Sequence, residues 1–329
     1  RAAGDRGVYV SVMLFQGFSV ARKGGVGENP WNGHPFNKHN NVNEIDGDAR
    51  GTGEGLDVHT LYDPELRHFQ EAYVEKVVDT VNDLDNVLFE ICNECDGSSV
   101  EWQYHIIRFI KRLESVRPKQ HPVGMTISYP GGHLSHLENS PAEWISPATD
   151  GGYQTEPPPA DGSKVIITDT DHLWGLGGDR RWVWKSFVRG LNPIFMDAHD
   201  NAWMYPPGGD TLSRQWETVR RNMGYTAHFA ARMNMNSMLP RPDLCTSSFC
   251  LARTDDPKPE YLVYFPQGGR VSVDLRQAGR STLDVEWFNP STGKTSHAPA
   301  VHGGVIAEFV TPFEGDAVLH LSAGNRTTE

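Results

Sequence analysis

Three short clusters gather side chains able to move protons, attack carbon or grip a polar ring. They are Cys92-Asn93-Glu94-Cys95-Asp96, Asp169-Thr170-Asp171-His172-Leu173-Trp174-Gly175 and Asp197-Ala198-His199-Asp200-Asn201-Ala202-Trp203. Two lesser ones are Gln16-Gly17-Phe18 and Tyr129-Pro130. Carboxylates converging with tryptophan and tyrosine are what cleavage of a glycosidic bond requires. One carboxyl protonates the leaving oxygen while a second attacks, or activates water against, an oxocarbenium-like centre. Aromatic faces supply a platform for the sugar ring, and acidic groups sharing one mouth raise one another's pKa, keeping the acid protonated near neutral pH. The plain alternative is that an Asp or Glu after a strand caps the next helix.

The elements that must position these clusters are legible as strands. Val8 to Phe15 is nearly all apolar, the mark of a strand buried on both faces of a parallel sheet. Asn86 to Ile91, Pro122 to Ser128, Trp144 to Ser146, Val165 to Thr168 and Pro193 to Met196 read the same way. Helices separate them. One opens at Pro64 with Phe69, Tyr73, Val77 (with Val78) and Val81 at helical spacing; a second runs from Glu101 to Val116 with Trp102, Ile106, Phe109, Ile110 and Leu113 on one face. The polar clusters fall at the C-terminal ends of these strands, where a parallel barrel puts its catalytic mouth. No Gly-x-Gly-x-x-Gly turn supports a dinucleotide fold. The fold class is therefore α/β with a parallel sheet over residues 1–245, either a TIM-type barrel or a doubly wound sheet. A small all-β sandwich over 246–329 follows, read from short strands at Tyr261–Phe265, Val271–Leu275, Leu283–Phe288, Val305–Val310 and Ala317–Leu321.

Composition narrows the partners. Lys and Arg total 30 against 42 Asp and Glu, so the net charge of −12 repels a phosphate backbone and excludes nucleic acid as the natural partner. No run of roughly 18 apolar residues exists to span a bilayer. The 33 glycines and 22 prolines point to elaborate loops, above all Gly17 to Tyr62.

Asn86 to Glu94, NVLFEICNE, resembles the fourth strand of the (β/α)8 glycoside hydrolases of the cellulase-like clan, where Asn-Glu closes that strand. Within the clan the chain is most similar to bacterial proteins that pair such a barrel with a β-sandwich named for collagen binding, the apiosidase-like group. The likeness extends through KVIITDTDHLWG (Lys164 to Gly175), PIFMDAHD (Pro193 to Asp200), YLVYFPQGG and VEWFNPSTGK. The resemblance implies a glycoside hydrolase acting on a plant or microbial polysaccharide or oligosaccharide, without metal or cofactor, in the periplasm or outside the cell. It makes Glu94 the general acid/base, Asn93 the partner of the sugar 2-hydroxyl, and Asp169 the nucleophile. The clan usually has Glu at that last position. Asp is about 1.5 Å shorter in reach, which matters when retaining enzymes hold their carboxyls about 5–5.5 Å apart and inverting ones farther. Asp171 rivals Asp169 for the role. Numbering the strands by the resemblance makes Val8 to Phe15 strand three, so the barrel is expected to lack its first two strands and to show an apolar edge there.

Gln16, Tyr129, His172, Trp174, Asp197, His199 and Trp203 are the further candidates for sugar contacts, and Trp31 and Asn41 for the rim of the mouth or for ordering the long loop itself. Two other readings stay open: a metal-dependent hydrolase built on the Asp/His clusters, and a non-catalytic carbohydrate-binding protein on a degraded barrel. Of the four cysteines, Cys92 and Cys95 read as buried free thiols, although C-x-x-C spacing also suits zinc or a redox pair. A Cys245–Cys250 disulfide would fit an oxidising compartment. Oligomeric state is not legible.

Overall fold

The computed structural model describes residues 1–22, 27–175, 177–197, 216–254 and 258–323. Its contacts form two units, Arg1–Asp150 and Gly151–Glu329.

In the first unit the expected strands form. They are β1 (Val10–Gln16), β2 (Val87–Asn93), β3 (Val123–Thr126) and β4 (Trp144–Ser146), each parallel to the next in chain order. β2 buries Val87, Phe89, Glu90, Ile91 and Cys92, and this burial on both faces accounts for a run that is apolar except at Glu90. Helices α1 (Pro64–Val81), α2 (Val100–Glu114) and α3 (Leu134–Glu138) follow β1, β2 and β3. Asp63 starts α1 by accepting the Glu65 and Leu66 N–H groups, with Pro64 behind it. The buried stripe of α1 is Leu66, Gln70, Val74 and Val78, one residue round from the expected Phe69–Tyr73–Val77 stripe. Gln70 is the reason. Its amide donates to Val58 O at 2.7 Å and accepts from Trp102 Nε1 at 2.9 Å, so a polar residue occupies the packed face while Phe69 and Tyr73 are exposed. β1 pairs with β2 along one edge, and Val8, Tyr9, Val10 and Met13 are exposed, giving the apolar edge expected there.

The second unit begins with the parallel pair β5 (Val165–Asp169) and β6 (Asn192–Ile194), and with helices α4 (Thr170–Trp174), α5 (Arg180–Val188) and α6 (Glu217–Arg232). An antiparallel part follows: β7 (Leu239–Pro240), β8 (Cys250–Arg253), β9 (Glu260–Phe265), β10 (Arg270–Asp274), β11 (Thr282–Asn289), β12 (Lys294–His302), β13 (Ile306–Val310) and β14 (Ala317–Ala323). One sheet has the order β12-β11-β14-β9-β8-β7, and β10 pairs with β13 in a second. Tyr261, Val263 and Phe265 of β9 join Val273, Trp287 and Leu321 in the sandwich core. The alternate residues Leu262 and Tyr264 pack with Trp184 of α5 and Phe229 of α6. The large sheet is thus covered on both faces, which is why YLVYF carries no polar alternation. The parallel α/β portion is that of a partial TIM barrel, and the β-sandwich succeeds it. Among the described residues no helix is long and apolar enough to cross a membrane.

Candidate active site

At the end of β1 the side chain of Gln16 turns the backbone, its Oε1 accepting the Phe18 N–H at 2.9 Å. β2 ends in register with it, Gln16 opposite Asn93, and Asn93 Nδ2 donates to the same Oε1 at 3.4 Å. Glu94 follows with φ of +47°. A glutamate in the left-handed region costs on the order of 1–3 kcal/mol and concentrates at functional sites. Gly17 lies directly against it: a Cβ on Gly17 would stand 2.0 Å from the Glu94 carbonyl oxygen. Only glycine lets β1 end so close to this backbone. Beyond Glu94, Cys95 O accepts the Tyr129 N–H at 2.9 Å and Gly97 N–H donates to Pro130 O at 2.8 Å, stitching the β2 loop to the β3 loop. Tyr129 itself is exposed. The first unit therefore brings together Gln16, Asn93 and Glu94, with Tyr129 joined through the backbone.

In the second unit, Asp169 closes β5 and its Oδ1 accepts the Asp171 N–H at 2.9 Å, making it the N-cap of α4. The capping role that any post-strand carboxylate can play is thus realised here, and it fixes the Asp169 rotamer. Asp171, in the first turn of α4, has its pKa raised, first by burial and further by the charge of Asp169, against the opposing pull of His172. Trp174 meets Trp182 edge-on at 5.4 Å between ring centres. The two line a cavity of about 420 Å³ with Gln154, Glu156, Arg181 and Lys185. The last four were not singled out from sequence, because nothing in their spacing ties them to the β5 end.

Other expectations are corrected. Trp31 is not at a rim: it is 4% exposed and packs with Val20, Ile45, Val58 and Leu66 in a small core inside the long loop. Gly55 sits against its ring, where a Cβ would stand 2.1 Å from Cε3. Asn41 holds the same loop together, donating to Asn37 O at 3.0 Å and Ile45 O at 2.9 Å and accepting from Ile45 N at 3.1 Å. Both residues are framework, since a loop of this length needs its own core and its own backbone partners. Asp197 forms a two-pronged ion pair with Arg220 of α6, 2.6 Å at each prong. His199 and Trp203 lie outside the described residues.

The cysteines are reversed from expectation. Cys92 and Cys95 are joined in a disulfide, while Cys245 and Cys250 are free and buried. His59, not flagged from sequence, lies with its Nδ1 3.3 Å from Cys95 Sγ. Among the described residues this trio is the one group of metal-ligating side chains that converges, its ligand atoms within 4.8 Å of one another. The Asp/His residues at the β5 and β6 ends form no such group among those described.

Set beside known structures, the chain shares its fold with glycoside hydrolases. It superposes on a family 5 glycoside hydrolase from Bacteroides vulgatus with a TM-score of 0.62, covering 97% of this chain and 71% of that one at 13% identity. A second structure, described as a glycoside hydrolase, aligns with a TM-score of 0.57 over 78% of this chain and 69% of that one, again at 13% identity. Residues 246–322 match the family described as "Putative collagen-binding domain of a collagenase". No curated protein matches the sequence.

Proposed function

We propose that this protein hydrolyses O-glycosidic bonds in a plant or microbial glycan by a two-carboxylate mechanism, with Glu94 as the general acid/base. The observation that carries this reading is the Asn93–Glu94 pair closing a parallel strand, with Glu94 held at positive φ against Gly17. Glu94 delivers a proton to the departing glycosidic oxygen and later takes one from water. Asn93, already turned toward Gln16, is assigned to the sugar hydroxyl beside the reacting carbon. Asp169 is assigned as the second carboxylate. It takes that role ahead of Asp171 because it is the residue that closes β5, the strand-end position to which the resemblance assigns the second carboxylate. Trp174, half-buried and backed by the buried ring of Trp182, offers an apolar face to a further sugar unit. The Cys92–Cys95 disulfide supports a periplasmic or extracellular setting.

The test is Glu94→Gln on a panel of aryl glycosides and polysaccharides, which is expected to lower turnover of any cleaved substrate by about 10²–10⁴-fold. Unchanged turnover would remove the acid/base assignment. Product anomers read by NMR then tell retention from inversion. The capping bond of Asp169 favours a second reading, a carbohydrate-binding protein without turnover. Saturable glycan binding with no cleavage across the panel is the outcome that selects it.

A further inference from the structure

We propose that the Cys92–Cys95 disulfide is a clamp that positions Glu94 for proton transfer, an inference that rests on the acid/base reading above. The bond encloses Asn93 and Glu94 and no other residue. Its ends stand 5.7 Å apart Cα to Cα, where three extended steps would span about 10 Å. The four residues therefore form a tight turn, and Glu94 takes the third place with φ of +47°, the place where turns of this kind ask for glycine or asparagine. A glutamate there has lower-energy alternatives, and relaxation into any of them swings its carboxyl away.

Both ends of the clamp are anchored. Cys92 belongs to β2, and its carbonyl accepts the Thr126 hydroxyl at 3.0 Å. Cys95 is fully buried, its carbonyl takes the Tyr129 N–H, and its sulfur faces His59, whose ring packs on Trp102 at 4.8 Å between centres. The Gly17 backbone closes the remaining side. With the disulfide intact, the turn cannot open without moving β2 or the β3 loop. Its burial marks it as a lasting clamp and not an exposed switch. Cys92 and Cys95 are positioning residues: they act on the reaction through Glu94.

The experiment compares wild type, Cys92→Ser/Cys95→Ser and Glu94→Gln on whichever aryl glycoside is cleaved, after non-reducing peptide mapping of the wild type. Mapping is expected to recover the Cys92–Cys95 bond. The double variant is expected to melt cooperatively, to keep KM within about twofold, and to lose about a hundredfold in kcat, the scale of an ångström-level misplacement. The limb of its pH profile set by the general acid should move as well, which a loss of stability alone would not cause. If the double variant does not fold, wild type reduced by dithiothreitol serves in its place. In an aliquot quenched with alkylating agent both thiols are labelled; in the unalkylated remainder kcat falls equally, and reoxidation by oxidised glutathione restores it. Full activity in either reduced or substituted protein overturns the clamp, as do free thiols holding stoichiometric zinc in the native protein. Glu94→Gln separates the two layers. An active Glu94→Gln sinks the acid/base reading, whereas an inactive one beside a fully active double variant sinks the clamp alone.

Discussion

At the scale of single residues, the carboxylates show how similar sequence signals end in different environments. Glu94 and Asp169 both close parallel strands, and the sequence motif points to both. Gly17 shows what a motif omits: its importance lies in how close it stands to the Glu94 backbone, where an added Cβ would lie 2.0 Å from the carbonyl oxygen, and no spacing along the chain encodes that. The same holds for His59, which reaches Cys95 from 36 residues away. Asp171 was legible as a rival carboxylate, but its burial was not. Its raised pKa means that the folded protein holds this proton more tightly than the unfolded chain does. The penalty for ionising it in the fold is therefore absent below the ordinary value of 3.8, appears as pH rises past that value, and is complete above the raised one. Asp171→Asn should accordingly melt higher than wild type at pH 7, with the gain vanishing as pH falls to 3.8 and below. A melting series against pH checks this, and a gain independent of pH would show that burial of charge is not its source.

At the scale of elements, apolar runs buried on both faces were easy to place and mixed ones were not. β2 and β9 appear where their largely apolar runs put them. β12 was missed because Lys294–His302 is an exposed edge strand with no apolar alternation to read. The α1 stripe was displaced because Gln70, a polar residue, is the one that packs. The long loop after β1 left two readings open for Trp31 and Asn41, the rim of the mouth or the ordering of the loop itself, and their packing and hydrogen bonds serve the second. His34 belongs to this structure too: its Nδ1 accepts the Phe36 N–H at 3.0 Å and its ring lies 5.0 Å from that of Trp31. Burial lowers its pKa to about 4 from 6.5. A lowered folded-state value means that the stabilisation is whole above pH 6.5 and is lost as pH falls through about 4. Protection factors of amides in residues 30–60 should therefore fall over that window while those of α2 hold, and His34→Gln should flatten the change. Equal acid sensitivity in wild type and His34→Gln would assign the effect to another group.

At the scale of the whole molecule, the sandwich is joined to helices that precede it in sequence. The shift in sequence texture near residue 245 separates strands from helices but does not report that α5 and α6 cover one face of the large sheet. That contact depends on Trp184, Phe229, Tyr264 and Phe288, which read from sequence as ordinary core residues of separate elements. One polar network fastens the same interface. Arg180 of α5 holds Asp316 with two nitrogens, Nε at 3.0 Å and Nη2 at 2.8 Å, and Tyr264 donates its hydroxyl to Asp316 at 3.0 Å. Asp316 is 1% exposed. Burial, reinforced by the charge of Asp316, holds the Tyr264 hydroxyl protonated and able to donate throughout the accessible pH range. Asp316→Ala would leave a half-buried guanidinium and a buried hydroxyl without their acceptor, at a cost of about 3–5 kcal/mol. For a unit of this size that corresponds to a melting temperature about 10 °C lower. Scanning calorimetry of the full chain should show that fall, while Arg241→Ala, which breaks an exposed pair with Asp243, should change it by less than about 2 °C. A comparable small shift for Asp316→Ala would mean that the apolar packing of Trp184 and Phe229 alone holds helix to sheet, leaving the ion pair a passenger.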